Sequence, residues 1–255
     1  ETGMLGCRPV ASPIDQKIKL TELAGEKVDR ERYQRLVGRL IYLTHTRPDI
    51  SFPVSVVSRY MHDPRKDHMD AVYHILRYLK GAPGKGLIFR KHGHFNIEGY
   101  CDSDWASCAD DRKSTSGYCM FVGGNLVSWK SKKQSVVARS TAEAEYRAIA
   151  IGVAEMLWLR NLLVELKVNQ ENQMMLWCDN KSAISIANNP VQHDRTKHIE
   201  IDRFFIKEKL DNGILKLSHV STEHQVADCL TKGLGPVSLT RLCDKMGLVD
   251  IFHPS

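Results

Sequence analysis

No stretch of this sequence approaches the roughly 20 consecutive apolar residues that a helix needs to cross a bilayer, so no membrane partner is expected. It carries no signal-peptide pattern and does not begin with Met, and it reads as a piece of a longer chain. Cysteine is scarce and poorly spaced. The seven residues (Cys7, Cys101, Cys108, Cys119, Cys178, Cys229 and Cys243) are odd in number and include no CxxC pair. That pattern argues against a disulfide framework or a zinc site and for reduced thiols in cytosol or nucleus. What remains is ordinary: 42% apolar and 26% charged residues over a length of 255, enough for one large domain or two small ones with a real core.

Charge is uneven along the chain. Residues 1–95 hold 17 Lys and Arg against 10 Asp and Glu, a net of +7, whereas residues 96–255 hold 19 against 20, a net of −1. A basic segment beside a carboxylate-rich one suits a protein that grips a polyanion and cleaves it with cations, although a solvated basic surface would look the same.

Hydrophobic periodicity divides the chain in a similar place. Residues 1–28 show no period and read as irregular. Helices are expected over 31–44, from Leu36, Val37, Leu40, Ile41 and Leu43, and over 49–61, with Asp49 as its cap. A third is expected over 66–80, ended by Gly81, Pro83 and Gly84. The boundary falls near KHGH at 91–94. Strands are then expected at 95–103, 116–122 and 125–130, with Gly123-Gly124 as a hairpin turn. A long helix over 141–166 opens on a Ser140/Glu143 capping box and buries Ala142, Tyr146, Ile149, Val153 and Met156. A strand (174–179), helices (181–188 and 198–210), a strand (214–220), a helix from Glu223 and a last helix over 236–246, closed by Gly247, complete the pattern. Three strands followed by alternating helix and strand predict a mixed sheet with helices on its faces.

Four carboxylates stand out on this frame: Asp102 in GYCDSDWAS, Glu145 in STAEAEYRA, Asp179 in MMLWCDN and Asp228 in TEHQVADCLTKGLG. Asp102 and Asp179 each follow a cysteine near a strand end. Side chains alternate along a strand, so Cys101 and Cys178 should face the core, away from whatever the aspartates face. Carboxylates gathered in one place repel one another unless cations neutralise them. Oxygen-only ligation favours Mg²⁺ or Mn²⁺ over zinc, and two such ions about 4 Å apart suit phosphodiester cleavage. Taken singly, each residue also has a plain reading. Asp104 fits a turn, Glu143 a capping box, Glu145 a solvated helix charge and Asp228 the dipole of a helix N-terminus.

The strings YQRLVGRLIYLTHTRPDISF, RYLKGAPGKGL, GYCDSDWAS, DRKSTSGY, SWKSKKQSVVARSTAEAEYRA, WCDNKSAISIANNP, TKHIEID and ADCLTKGL span essentially the whole sequence. Together they resemble the C-terminal part of a copia-type retrotransposon Pol polyprotein of the plant kind. The resemblance implies that residues 1–92 are a thumb- or connection-like tail of reverse transcriptase. It implies that residues 93–255 are a ribonuclease H-like α/β domain, a mixed five-stranded sheet with flanking helices. The implied activity is Mg²⁺-dependent cutting of the RNA strand of RNA/DNA hybrids during reverse transcription, with two Mg²⁺ ions for which Mn²⁺ can substitute. The implied partners are the hybrid and the remainder of the reverse transcriptase, and the implied place is a cytoplasmic virus-like particle or the nucleus. The resemblance implies four metal ligands: Asp102 matches the aspartate that bridges both ions, Glu145 the helix glutamate, Asp179 the aspartate ending the fourth strand, and Asp228 the final-helix aspartate that helps hold the ion activating water. His198, in TKHIEID, and His224, four residues before Asp228, are candidates for proton transfer or product release. One departure is visible: Phe204 stands where plant relatives commonly carry a second histidine.

Lys130, Lys132, Lys133 and Arg139 are candidate phosphate contacts, with Arg112, Lys113, Ser114 and Thr115 as further ones. Asn180 and Ser182 are candidates for reading the 2′-hydroxyls that distinguish a hybrid. The alternative is a decayed or repurposed fragment that binds nucleic acid without cutting it. The YxDD polymerase motif is absent, so DNA synthesis by this chain alone is not expected.

Overall fold

The computed structural model describes residues 2–23, 25–168, 172–188 and 200–252. In chain order these form α1 (Arg30–Leu43), a 3₁₀ turn (Pro48–Ile50), α2 (Ser51–Ser58), α3 (Lys66–Gly81) and β1 (Lys85–Leu87). Next come β2 (Ile97–Asp104), β3 (Thr115–Val122), β4 (Asn125–Lys133), α4 (Thr141–Glu165), β5 (Met174–Cys178), α5 (Lys181–Asn188), α6 (Glu200–Asp211) and β6 (Leu215–His219). Two 3₁₀ turns (Thr222–His224 and Val226–Leu230), α7 (Pro236–Lys245) and β7 (Leu248–Asp250) finish the chain. Among the described residues no helix is long and apolar enough to cross a membrane.

The chain packs as two compact units. One comprises Glu1–Ile88, Cys108–Arg112 and Lys232–Ser255, the other Phe89–Ser107 and Lys113–Thr231. The passage from one to the other thus lies close to KHGH, while the residues from Lys232 onward pack with the first unit.

In the first unit the apolar stripes of three helices meet: Tyr33, Val37, Ile50, Val57, Val72 and Ile75 are all fully buried. Burying one such side chain stabilises by about 1.5–3 kcal/mol, which is why these amphipathic helices hold together. The Asp29 carboxylate caps α1 by accepting from the Arg32 N–H at 3.1 Å. Asp49, expected to cap the second helix, does not. It lies buried within the 3₁₀ turn and accepts both Arg47 Nε (2.9 Å) and Nη2 (2.7 Å), with the Tyr78 hydroxyl donating at 2.6 Å. A bidentate guanidinium from two residues upstream outcompetes the weaker cap. The short strands β1 and β7, too brief to show a pattern, pair antiparallel.

The second unit is built on a five-stranded sheet in the order β4-β3-β2-β5-β6. β2, β3 and β4 run antiparallel, whereas β5 pairs parallel with both β2 and β6, so the sheet is mixed as expected. Gly123 and Gly124 join β3 to β4 with φ of +55° and +73°, a two-residue turn that a side chain would strain. A Cβ on Gly123 would also meet the His94 carbonyl oxygen at 2.4 Å. The Ser140 hydroxyl starts α4 by accepting from the Glu143 N–H at 3.2 Å. Tyr146, Ile149, Val153 and Met156 then bury completely against Met120 and Leu176 of the sheet. The helix expected from Glu223 is absent, and two 3₁₀ turns take its place.

Candidate metal centre

Strand pairing brings the first two aspartates together. β2 and β5 run parallel with Tyr100 opposite Trp177, so Asp102 and Asp179, two positions further along each, emerge side by side. Asp228 arrives from the 3₁₀ turn Val226–Leu230, not from an α-helix. One ligating atom each from Asp102, Asp179 and Asp228 lies within 4.8 Å of the others. Asp102 and Asp228 are buried and Asp179 is half-buried.

Glu145 enters from the first turns of α4 and is also buried. Its carboxyl is pushed up to about 10, first by burial and then by the charges of Asp102, Cys178 and Asp179, against a backbone hydrogen bond from Ser103. Burial beside these groups therefore favours the protonated form of Glu145. Cys101 and Cys178 are both fully buried, as alternation requires. Cys178 is nonetheless nearer the site than that argument implied. Its thiol donates to Glu145 Oε2 at 3.9 Å, and Glu145, Cys178 and Asp179 form a second close group. The reason is geometric: α4 covers the face to which Cys178 points, and Glu145 reaches the strand end from that side.

The remaining candidates are spread out. Glu143 serves the helix start: its carboxylate accepts from the Arg139 N–H at 2.9 Å and pairs with Arg147 at 3.0 Å. Asp104 is the last residue of β2, before the Trp105-Ala106 turn. Lys130 and Lys132 are exposed on β4, an edge strand, and alternation sets them on the face where Ser128 donates to Glu155 of α4 at 2.6 Å. Lys133, half-buried, takes the other face, so the three lysines do not form one row. Arg139 is exposed just before α4. Asn180 caps α5, its side-chain oxygen accepting from the Ala183 N–H at 2.9 Å, and Ser182 is exposed in that helix's first turn. His224 is exposed, with Nδ1 3.2 Å from the Ser221 hydroxyl and 3.4 Å from Glu223. His198 lies outside the described residues.

Several positioning groups escaped the sequence reading. The Thr222 hydroxyl donates to Asp179 Oδ2 at 2.9 Å. The Thr231 hydroxyl donates to Asp102 Oδ2. Buried Gln225 accepts the Ala227 N–H at 3.2 Å and donates to the Cys101 carbonyl at 2.9 Å. Gln134 Nε2 lies 2.8 Å from Ser116 Oγ, 3.0 Å from the Ala144 carbonyl and 3.3 Å from Ser103 Oγ, joining β2, β3 and the start of α4. The Trp105 indole N–H donates to the Ala138 carbonyl at 3.0 Å, a second tie between the strand bearing Asp102 and the approach to the helix bearing Glu145. Thr231 and Asp102 are 129 positions apart, and no local pattern announces such a contact.

No family model matches the chain. It is 42% identical over 251 residues to the retrovirus-related Pol polyprotein from transposon RE2 of Arabidopsis thaliana, an alignment covering 98% of this chain and 17% of that protein. It is 39% identical over 251 residues to the Pol polyprotein from transposon TNT 1-94 of Nicotiana tabacum, covering 95% of this chain and 19% of the relative. The chain thus spans under a fifth of the length of these relatives. Among solved structures, LC11-RNase H1 in complex with an RNA/DNA hybrid matches at 16% identity with a TM-score of 0.38, over 53% of this chain and 94% of that one. On its sequence identity to the plant proteins, maintained from end to end, the chain belongs to the retrovirus-related Pol polyproteins of copia-type transposons.

Proposed function

We propose that the second unit is a divalent-cation-dependent nuclease that hydrolyses the RNA strand of RNA/DNA hybrids, and that residues 1–92 are the tail of the reverse transcriptase that precedes it. The observation that carries the reading is the convergence of Asp102, Asp179 and Asp228 within 4.8 Å, with the buried Glu145 acid beside Asp179. At that separation each pair of ionised carboxylates would repel by about 3.5 kcal/mol at an effective dielectric of about 20. The residues fit hard cations: the triad offers carboxylate oxygen only, which suits Mg²⁺, with Mn²⁺ able to substitute.

Bound divalent cations supply water activation and neutralise charge at the phosphodiester. The chain's own residues do the rest. Asp102, Glu145, Asp179 and Asp228 would hold the ions, Glu145 in its deprotonated form. Lys130, Lys132, Lys133 and Arg139 hold phosphates on either side of the edge strand. Asn180, whose side-chain oxygen is committed to α5, offers its amide N–H groups with Ser182 to the 2′-hydroxyls. His198 and His224 assist proton transfer or product release.

A labelled hybrid incubated with Mg²⁺ and either the unchanged chain or Asp179→Asn tests this reading. Cutting by the first alone is expected, and equal cutting by both would end it. Tight hybrid binding that never yields product, with Mg²⁺ or Mn²⁺, would replace it with a non-cleaving nucleic-acid-binding fragment.

A further inference from the structure

The carboxylates come from segments far apart in the chain, and the turn carrying Asp228 has little regular structure of its own to hold it. The 3₁₀ turn Val226–Leu230 is five residues long, in a geometry with strained hydrogen bonds. Two side chains compensate, one at each end. Before the turn, Gln225 is fully buried: its side-chain oxygen accepts from the Ala227 N–H, and its amide donates across to the Cys101 carbonyl, next to Asp102. After the turn, Thr231 is fully buried too: its hydroxyl donates to the Asp102 carboxylate, and its oxygen lies 3.3 Å from the Asp228 carbonyl. The strand beneath is shaped to receive them. Gly117 of β3 stands opposite Asp102, and a Cβ there would meet Leu230 Cβ at 2.8 Å and Thr231 Cγ2 at 2.9 Å. Only a residue without a side chain lets the turn sit this close.

We propose that Gln225 and Thr231 are positioning residues that clamp the Asp228 turn to the strand of Asp102, so that the cation-holding triad is assembled before any cation arrives. Gln225 sets the height of the turn above β2 through a backbone carbonyl. Thr231 sets the plane of the Asp102 carboxylate by occupying a lone pair of Oδ2. Hydroxyl and amide are the right groups for this. Both are neutral, so they orient a carboxylate without cancelling the charge that a cation needs, as a lysine or arginine would. Partners of this kind typically tune metal affinity or activity 10- to 100-fold.

This inference rests on the nuclease reading, and its test separates the two. Mn²⁺ binding to the full chain is measured by the loss of the free-ion paramagnetic resonance signal, alongside the rise in melting temperature on adding Mg²⁺. Hybrid cleavage is followed as a function of Mg²⁺ concentration. Thr231→Val keeps the volume and removes the donor. It should weaken Mn²⁺ binding and raise the Mg²⁺ half-saturation of cleavage about tenfold, with KM for the hybrid unchanged. Thr231→Ser should restore both to within about twofold, since it returns the hydroxyl. Gln225→Met should weaken cation binding in the same direction. A folded Thr231→Val chain that binds Mn²⁺ as the unchanged chain does would overturn the proposal. So would the unfolding of both Thr231→Val and Gln225→Met, which would assign the pair to the fold alone. A chain that binds Mn²⁺ but cuts no hybrid would end the nuclease reading while leaving the clamp to be judged on binding.

Discussion

Each unit of this protein buries a carboxylate among titratable neighbours, and the company each keeps is opposite in sign. In the first unit Asp49 meets Arg47 in a bidentate pair, with the Tyr78 hydroxyl as a third member. In the second, Glu145 meets Asp102, Asp179 and the Cys178 thiol. One cluster brings its own counter-charge and forms a closed structural joint, while burial and the Asp49 charge keep the Tyr78 hydroxyl well above its ordinary range. The other pushes a carboxyl upward and, on the nuclease reading, would be relieved by positive charge from solution. Burial alone therefore does not distinguish a structural site from a cation site; the sign of the neighbours does.

The comparison can be broken from either side. The largest effect should come from removing half of the closed joint. Asp49→Ala leaves a buried guanidinium and a buried hydroxyl without their acceptor, and should destabilise by about 3–5 kcal/mol in urea unfolding. Replacing the pair together, with Arg47→Met and Asp49→Leu, should recover most of that loss, as expected where desolvation offsets attraction. Next, Asp179→Asn should lower Mg²⁺-dependent hybrid cleavage by at least about a hundredfold, more than the loss of an outer partner, without lowering the melting temperature of the cation-free chain. Gly117→Ala, which crowds Leu230 and Thr231, should cost about 1–3 kcal/mol by overpacking and weaken Mn²⁺ binding, because the turn must lift off the strand.

The dependence of stability on pH is the most diagnostic of sign. The folded Glu145 acid sits at about 10, above the ordinary 4.5. Its contribution to stability is complete below about 4.5 and is lost as pH rises through about 10, by at most about 1.4 kcal/mol per pH unit. Melting of the cation-free chain followed across this range should show the decline. Glu145→Gln should flatten it, and Mg²⁺ should offset it most at high pH. A stability that rises over the same window would contradict the account.

Much of the fold was legible because local signals agreed. The helix expected over 141–166 is Thr141–Glu165, started by Ser140 and fixed by the spacing of Tyr146, Ile149, Val153 and Met156. The helix over 181–188 is Lys181–Asn188, and the Gly-Gly hairpin falls where the turn chemistry put it. The failures share a cause. TEHQVADCL spaces Val226 and Leu230 as a helix would, yet Gln225 spends its side chain on the Ala227 N–H and a distant strand, and the segment tightens into 3₁₀ turns. Asp49 looked like a cap because its pairing with Arg47 and Tyr78 depends on a fold that brings α3 alongside. In the candidate site, strand alternation sent Cys101 and Cys178 into the core. It did not reveal that Glu145 would reach Cys178 from the helix covering that face.

The sequence by itself determined the family, the strand ends and helix that carry the acidic residues, and the hard-oxygen chemistry open to them. These follow from side-chain type, periodicity and long shared strings. Only the tertiary structure decided that Asp102, Asp179 and Asp228 meet within 4.8 Å, that burial pushes the Glu145 carboxyl upward there, and that Gln225 and Thr231 brace the arrangement. Those outcomes depend on contacts between residues up to 129 positions apart, whose distances and dielectric surroundings exist only once the chain has packed.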